Sequence, residues 1–367
     1  MHEYYLLKIR KYIEKRFPSL TRLIFLPTPK LIVFFVTSQC NALCEHCFLP
    51  ATSRSKNQDI NKENITKVFK TLNRRVKIIL TGGEPFLRKD LESIIDTLMS
   101  LRLTQSIDLL SNGLLSAEIE SICGTISKKH KKPLRLQLSL DGMPSTHDEI
   151  RKVKDGFNKV IDTCERMKRL QQKAENFSFI VSATVMRQNI SEIEELVDYL
   201  HGRGYPSKLA IVRGNSFSTF GVPQEILNQE YNPRTDSAVE VKEIEQLIEK
   251  ISKKYPGYFT FFEKIKLKII LNTLTFEERQ FFCYAGYKDC VIYSNGDIGL
   301  CEQVKPFGNL ATWNWDIKKA WNSKEAENQR KQLTSCACIH GCNIGSSICS
   351  GGPYLGTSRN IAKTIER

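Results

Sequence analysis

The sequence has no uninterrupted apolar run long enough to cross a bilayer. Its most apolar stretch, LIFLPTPKLIVFFV (23–36), is broken by Pro27, Pro29 and Lys30, whereas a spanning helix needs about 20 consecutive apolar residues. That argues against a membrane-spanning helix, and with no recognisable secretory signal a cytoplasmic protein is expected. Low-complexity tracts and internal repeats are also lacking, so disordered and solenoid classes do not apply. Acidic residues are in deficit, 40 against 54 Lys and Arg, for a formal charge of +14. Such an excess suits an acidic partner: nucleic acid, an anionic lipid surface or an acidic substrate. The bases are scattered, however, with only KKHKK (128–132) forming a dense run, so a globular enzyme with a basic surface fits as well. No RNA-binding module is recognisable, which argues against nucleic acid. The first twenty residues can form a basic amphipathic helix, able to contact a membrane surface peripherally or to pack on its own domain.

Cysteine is abundant, at 12 in 367 residues. Disulfide frameworks belong to small secreted chains without a sufficient core, and this chain is long enough to bury a large one. Tight clusters without a secretory signal point instead to reduced, metal-binding thiolates. The first cluster, CNALCEHC (40–47), holds Cys40, Cys44 and Cys47 on one short segment. Three soft ligands without a fourth suit a cubane iron–sulfur cluster with one iron left open. A zinc site completed by His46 or a distant residue is the alternative.

Strand patterns begin at LIVFFVT (31–37) and recur at KIILTGG (77–83), SIDLLSNG (106–113), RLQLSLDG (135–142), FSFIVSATV (177–185) and KLAIVRG (208–214). Helical patterns alternate with them, as in DLESIIDTLMSL (90–101), where Leu91, Ile94, Ile95, Leu98 and Leu101 recur behind a possible Asp90 cap. The alternation predicts an α/β fold with parallel strands and right-handed crossovers. Periodicity leaves an open doubly wound sheet and a partial or full barrel equally possible. In either, ligands sit at the C-terminal strand ends, where CNALCEHC, GGE (82–84), SNG (111–113) and SLDG (139–142) converge. A polar, turn-rich boundary is expected near 215–237, then two helices, then an aperiodic region from Cys283 containing seven cysteines.

The spacing Cys40-x3-Cys44-x2-Cys47 after a first strand, then Gly82-Gly83-Glu84-Pro85 ending the second, resembles the radical S-adenosylmethionine (SAM) superfamily. SNG, SLDG and HDEIR (147–151) resemble later motifs of that family. The resemblance covers roughly 30–215 and implies a partial (β/α)6 TIM-like barrel. It further implies a 4Fe–4S cluster on the three cysteines, SAM on the open iron, and reductive cleavage of SAM to a 5′-deoxyadenosyl radical that abstracts a substrate hydrogen. An electron donor such as flavodoxin or ferredoxin is implied too. By position, Gly82 and Gly83 would approach the methionyl amine with Glu84 as counter-charge, and His46 would pack near adenine. Ser139 and Arg151 would hold the ribose or methionyl carboxylate, with Asn112 a further candidate. No acid or histidine is placed as general base.

Cys283, Gly296-x4-Cys301 and FGNL (307–310) resemble the start of a SPASM/Twitch extension, which implies one or two auxiliary 4Fe–4S clusters. The terminal run Cys336-x-Cys338-x3-Cys342-x6-Cys349 departs from the usual spacing. With Cys290, seven thiolates are available where two cubanes need about eight. A zinc ribbon is the alternative. The expected organisation is a basic helical segment (1–29), a barrel core (30–235), a helical connector (236–280) and a small cysteine-rich domain (281–367). The expected activity is oxidative modification of a peptide or protein side chain. Chemistry on a small molecule or lipid precursor is the alternative, with RNA modification behind it, and a zinc-stabilised binding protein stands as a different class.

Overall fold

The computed structural model describes residues 8–9, 12, 27–47, 59–213, 238–333 and 336–350. Most of the expected N-terminal helical segment and the whole 215–237 boundary lie outside the described residues. The strands are β1 (Leu31–Thr37), β2 (Val76–Gly82), β3 (Thr104–Ser111), β4 (Leu134–Ser139), β5 (Phe177–Val185) and β6 (Ser207–Ile211), all parallel and paired in sequential order. Between them run α1 (Lys62–Lys70), α2 (Leu91–Ser100), α3 (Ser116–Lys129), α4 (Pro144–Arg151), α5 (Gly156–Lys173) and α6 (Ile193–Gly202). Mixed α/β architecture with this parallel order is that of a partial TIM-type barrel.

The strands form where expected because each is a short stretch whose apolar residues are either contiguous, as in β1, or alternate, as in β4. Alternate residues of β1 serve opposite faces: Ile32, Phe34 and Val36 enter the core between sheet and helices, while Val33 and Phe35 line the other face. Fully burying one such side chain is worth about 1.5–3 kcal/mol, so a register slip would forfeit several at once. Helix α2 buries Leu91, Ile94, Ile95 and Leu98 on the same core. Asp90 occupies its N-cap position but makes no capping bond, because its carboxylate accepts from Arg88 Nε at 2.7 Å instead.

Beyond the boundary come α7 (Val241–Lys254) and α8 (Phe261–Phe276), the two expected helices. From Cys283 onward the chain is more ordered than its sequence suggests. It forms β7 (Asp289–Ile292), β8 (Asp297–Gly299), β9 (Gly308–Asn309), α9 (Ile317–Trp321), α10 (Lys324–Gln332) and α11 (Gly341–Cys349). These strands are too short to show periodicity. β7 pairs parallel with the free edge of β1, Leu31 opposite Asp289 through Phe34 opposite Ile292, so one nine-stranded sheet runs through both regions.

Candidate active site

The cysteine loop leaves the end of β1 and is held from two sides. On one side the strand pairing continues past β2: Gly83 N donates to Thr37 O at 2.9 Å and Glu84 N to Gln39 O at 2.7 Å. A Cβ at Gly82, whose φ is +145°, would lie 2.2 Å from Thr37 O, and one at Gly83 would lie 2.0 Å from Gln39 O. No real side chain fits there, so the close approach these glycines permit is to the cysteine loop's own backbone. On the other side Leu43 N donates to Arg151 O at 3.2 Å and Glu45 N to Ile150 O at 2.9 Å, hanging the loop on the end of α4. Arg88, which no motif singled out, braces the base through Val36 O and through Ile60 O at 2.6 Å.

Glu84 is buried at the end of β2 and accepts from Asn112 N at 2.7 Å, Ser111 Oγ at 2.9 Å and Phe86 N at 3.2 Å. Burial pushes its carboxyl up to about 7, against the pull of those donors. The Asn112 side chain donates to Asn41 Oδ1 at 2.7 Å and stands 4.0 Å from Cys40 Sγ, while its Oδ1 accepts from Leu114 N at 3.1 Å in an Asx turn. Ser139 ends β4 opposite Ser182 of β5.

Asp141 is the hub that motif reading overlooked. Fully buried, it accepts from Arg151 Nε at 2.6 Å and Thr184 N at 2.8 Å, and its N–H donates to His147 Nδ1 at 3.1 Å. Burial pushes this carboxyl up, yet the Arg151 guanidinium beside it holds it below the usual carboxylate range. Arg151 also donates to Cys44 Sγ at 3.5 Å. The fork expected to hold the SAM carboxylate or ribose is therefore engaged with Asp141 and a cysteine of the loop. The guanidinium thus sets a positive charge beside Cys44. His46 Nε2 lies 4.0 Å from Asp141 Oδ2, and burial holds the ring's pKa at about 4, so it is neutral. Three free thiols, a flanking cation and a loop fixed on both sides suit an iron–sulfur cluster with one iron open.

The structure divides the second cysteine field. Cys283, Cys301, Cys336 and Cys338 form one group: Cys301 and Cys338 are each pushed up chiefly by burial or by a bonded neighbour and further by the other thiols, and Cys336 bonds Cys338. Three of the four thiols accept the backbone N–H two residues on, at 3.4 Å for Ala285 to Cys283, 3.4 Å for Gln303 to Cys301 and 3.2 Å for His340 to Cys338. Asn343 Nδ2 adds a donor to Cys301 at 3.1 Å. N–H groups aimed at sulfur are a common means of tuning cluster thiolates. Among the described residues, no three His, Cys, Asp or Glu side chains gather as ligands of a single metal ion. The other three expected ligands stand apart. Cys290 turns into the main core beside Ile32, its partner across the ladder. Cys342 packs on the opposite face with Val33, Phe35, Ile79 and Val291. Cys349 is exposed at the end of α11. A Glu302–His340 contact of 3.3 Å and an Arg213–Glu302 contact of 3.6 Å tie this region to the chain leaving β6. Cys123 and Cys164 are core residues.

Residues 34–200 match the family model of the Radical SAM superfamily, and residues 283–343 match that of the SPASM iron-sulfur cluster-binding domain. Over 77% of the chain and 88% of the relative, it is 25% identical to the uncharacterized protein MJ0907 of Methanocaldococcus jannaschii. It is 27% identical to the sporulation killing factor maturation protein SkfB of Bacillus subtilis, over 46% of this chain and 39% of SkfB. With the AdoMet-dependent heme synthase of Methanosarcina barkeri it shares 25% identity over 74% of this chain and 76% of that one. In fold it resembles Streptococcus suis SuiB, solved bound to the precursor peptide SuiA, with a TM-score of 0.58 at 17% identity, covering 89% of this chain and 71% of SuiB.

Proposed function

The chain belongs to the radical SAM superfamily and carries a SPASM domain, so it is an enzyme whose cofactors are SAM and 4Fe–4S clusters, and from that premise we propose that it oxidises a side chain of a peptide or protein. The observation that carries this reading is the second thiol group, Cys283, Cys301, Cys336 and Cys338, separate from the loop of Cys40, Cys44 and Cys47. One further cubane on those four thiolates would give an electron removed from substrate somewhere to go. The likeness to a killing factor maturation protein and to a fold solved with a precursor peptide supports a peptide substrate.

When bound, the cofactors supply a carbon-centred radical that takes a hydrogen atom from the substrate. This chain's residues do the holding and orienting. Cys40, Cys44 and Cys47 would ligate the SAM-binding cluster, with Gly82 and Gly83 letting the loop seat against β2. Glu84 and Asn112 fix the strand ends beside Cys40, where Glu84 would face the methionyl amine. Arg151, fixed by Asp141, sets its charge beside Cys44, and the neutral His46 ring would offer a flat face to adenine. Ser139, at the rim, would bond the ribose or carboxylate. A flavodoxin or ferredoxin would deliver electrons, and the +14 charge suits such an acidic partner. No helix among the described residues is long and apolar enough to cross a membrane.

The second reading, a small-molecule substrate, is favoured by the heme synthase likeness over three-quarters of the chain. The test is anaerobic assay of a precursor peptide encoded beside the gene, followed by mass spectrometry. Wild type should remove a pair of hydrogens from the peptide. Cys301→Ala should still cleave SAM but release no oxidised peptide, and Cys40→Ala should do neither. Product formation by Cys301→Ala would overturn the oxidative role, and an unmodified peptide with wild type would favour the small molecule.

A further inference from the structure

The face of the sheet turned away from the helices carries a charge that its own residues do not balance. Cross-strand partners share a face, and on this face the apolar cluster of Val33, Phe35, Ile79 and Leu110 is joined along β3 to β6 by polar residues. Asp108 stands opposite Arg135, and farther along Ser139 stands opposite Ser182, which stands opposite Lys208. Lys208 thus lies in the same row as Ser139, but as the second residue of β6 it sits below that strand's C-terminal end, on the side of Arg135 and Asp108. Lys266, from α8, reaches the same space: a Cβ at Gly341 would meet its Nζ at 2.8 Å, and the adjoining Cys342 packs on Val33 and Phe35.

Asp108 is already bonded, to Lys77 at 2.8 Å and to Arg135. Among the described residues no carboxylate pairs with Lys208 or Lys266 within 4.0 Å. Burial lowers the pKa of both ammoniums, Lys208 to about 8; the charges of Lys266 and Arg135 lower Lys208 further against Cys342 and Asp108, and Arg135 lowers Lys266 against Cys342 and Glu263. Two cations held together in a dry space cost stability unless an anion joins them. Enzymes place such groups where a ligand supplies the missing charge.

We propose that Lys208 and Lys266 form a binding site for a carboxylate of the substrate, either an acidic side chain beside the modified position or the C-terminal carboxylate of a peptide. This deepens the peptide reading and rests on it only for the identity of the ligand. Lysine suits the role because its compact charge can meet a carboxylate that enters the space on this face of the sheet, and the two stems come from different elements, β6 and α8. The SAM carboxylate has the same chemistry, so the test must separate the two sources.

The experiment is equilibrium binding to the full chain at fixed ionic strength, with N-acetyl-glutamate methylamide and the neutral N-acetyl-glutamine methylamide as probes. The C-terminal form is probed with N-acetyl-alanine against its amide. Wild type should prefer an acid over its amide by about tenfold or more, the scale of a charge-assisted contact. Lys208→Met and Lys266→Met keep the aliphatic stems; each should reduce that preference and the double variant should erase it. Without ligand, both variants should melt at or above the wild-type temperature, since a repulsion has been removed. Equal binding of acid and amide to wild type would overturn the site, as would a double variant that keeps the preference. A loss of SAM affinity matching the loss of probe affinity would assign the lysines to SAM and overturn the proposal. None of these readouts needs turnover, so a failure here is distinct from a failure of the oxidative reading.

Discussion

At Glu84 two effects oppose each other, and burial wins over three hydrogen-bond donors to raise the carboxyl to about 7. A folded-state value above the unfolded one, about 4.3, means folding favours the protonated form. Its contribution to stability is complete below the unfolded value and is lost as pH rises through about 7. In the cofactor-free protein, wild type should therefore lose stability relative to Glu84→Gln between pH 5 and pH 8, and thermal melts check this; parallel curves would contradict it. Gly83 supplies a steric counterpart. Gly83→Ala sets a Cβ 2.0 Å from Gln39 O, which should cost on the order of 1–3 kcal/mol and lower iron retained by the Cys40–Cys47 loop. Gly124, a helical glycine with nothing within 4 Å of an added Cβ, is the control. Gly124→Ala should be neutral or stabilise by about 0.5–1 kcal/mol, as chemical denaturation will show.

At the scale of elements, β7 and the loops around it sort the cysteines. Cys290 lies on the strand itself and points into the core, while Cys283 and Cys301 flank the β7–β8 hairpin and meet Cys336 and Cys338. Cys290→Ala should then leave the iron content unchanged and cost about 1 kcal/mol of packing. Cys301→Ala should lose about four irons per chain, one cubane. Iron analysis after anaerobic reconstitution distinguishes them, and equal losses would contradict the grouping. A motif linked Cys283 with Cys301, but which of the remaining cysteines join them was not legible in the sequence. Spacing along a chain reports neighbours in sequence, and the four thiols converge only because a short hairpin and the segment before α11 fold together.

Over the whole molecule, legibility followed locality. The six parallel strands and the cysteine loop at their rim could be read because each is a contiguous run or motif whose pattern is local. Asp141 could not, since its partners His46 and Arg151 come from a loop nearly a hundred residues before it and a helix ten residues after it. The extension of the sheet by β7 was hidden as well, in four residues without periodicity. That extension joins the two regions into one folding unit: β7 covers the edge of β1, and the main core continues to Leu310, Ile317 and Trp321. A chain ending near residue 280 would expose that edge and part of the core, and should aggregate on expression where the full chain stays in solution. The thiol geometry calls for three cysteines on the SAM-binding cluster and four on a single auxiliary one. Metal and sulfide analysis of the anaerobically reconstituted full chain, with assay of SAM cleavage on the same sample, tests it most directly. About eight irons per chain and formation of 5′-deoxyadenosine are the expected result. About twelve irons would contradict the single auxiliary cluster, and a colourless zinc protein that leaves SAM intact would contradict the whole account.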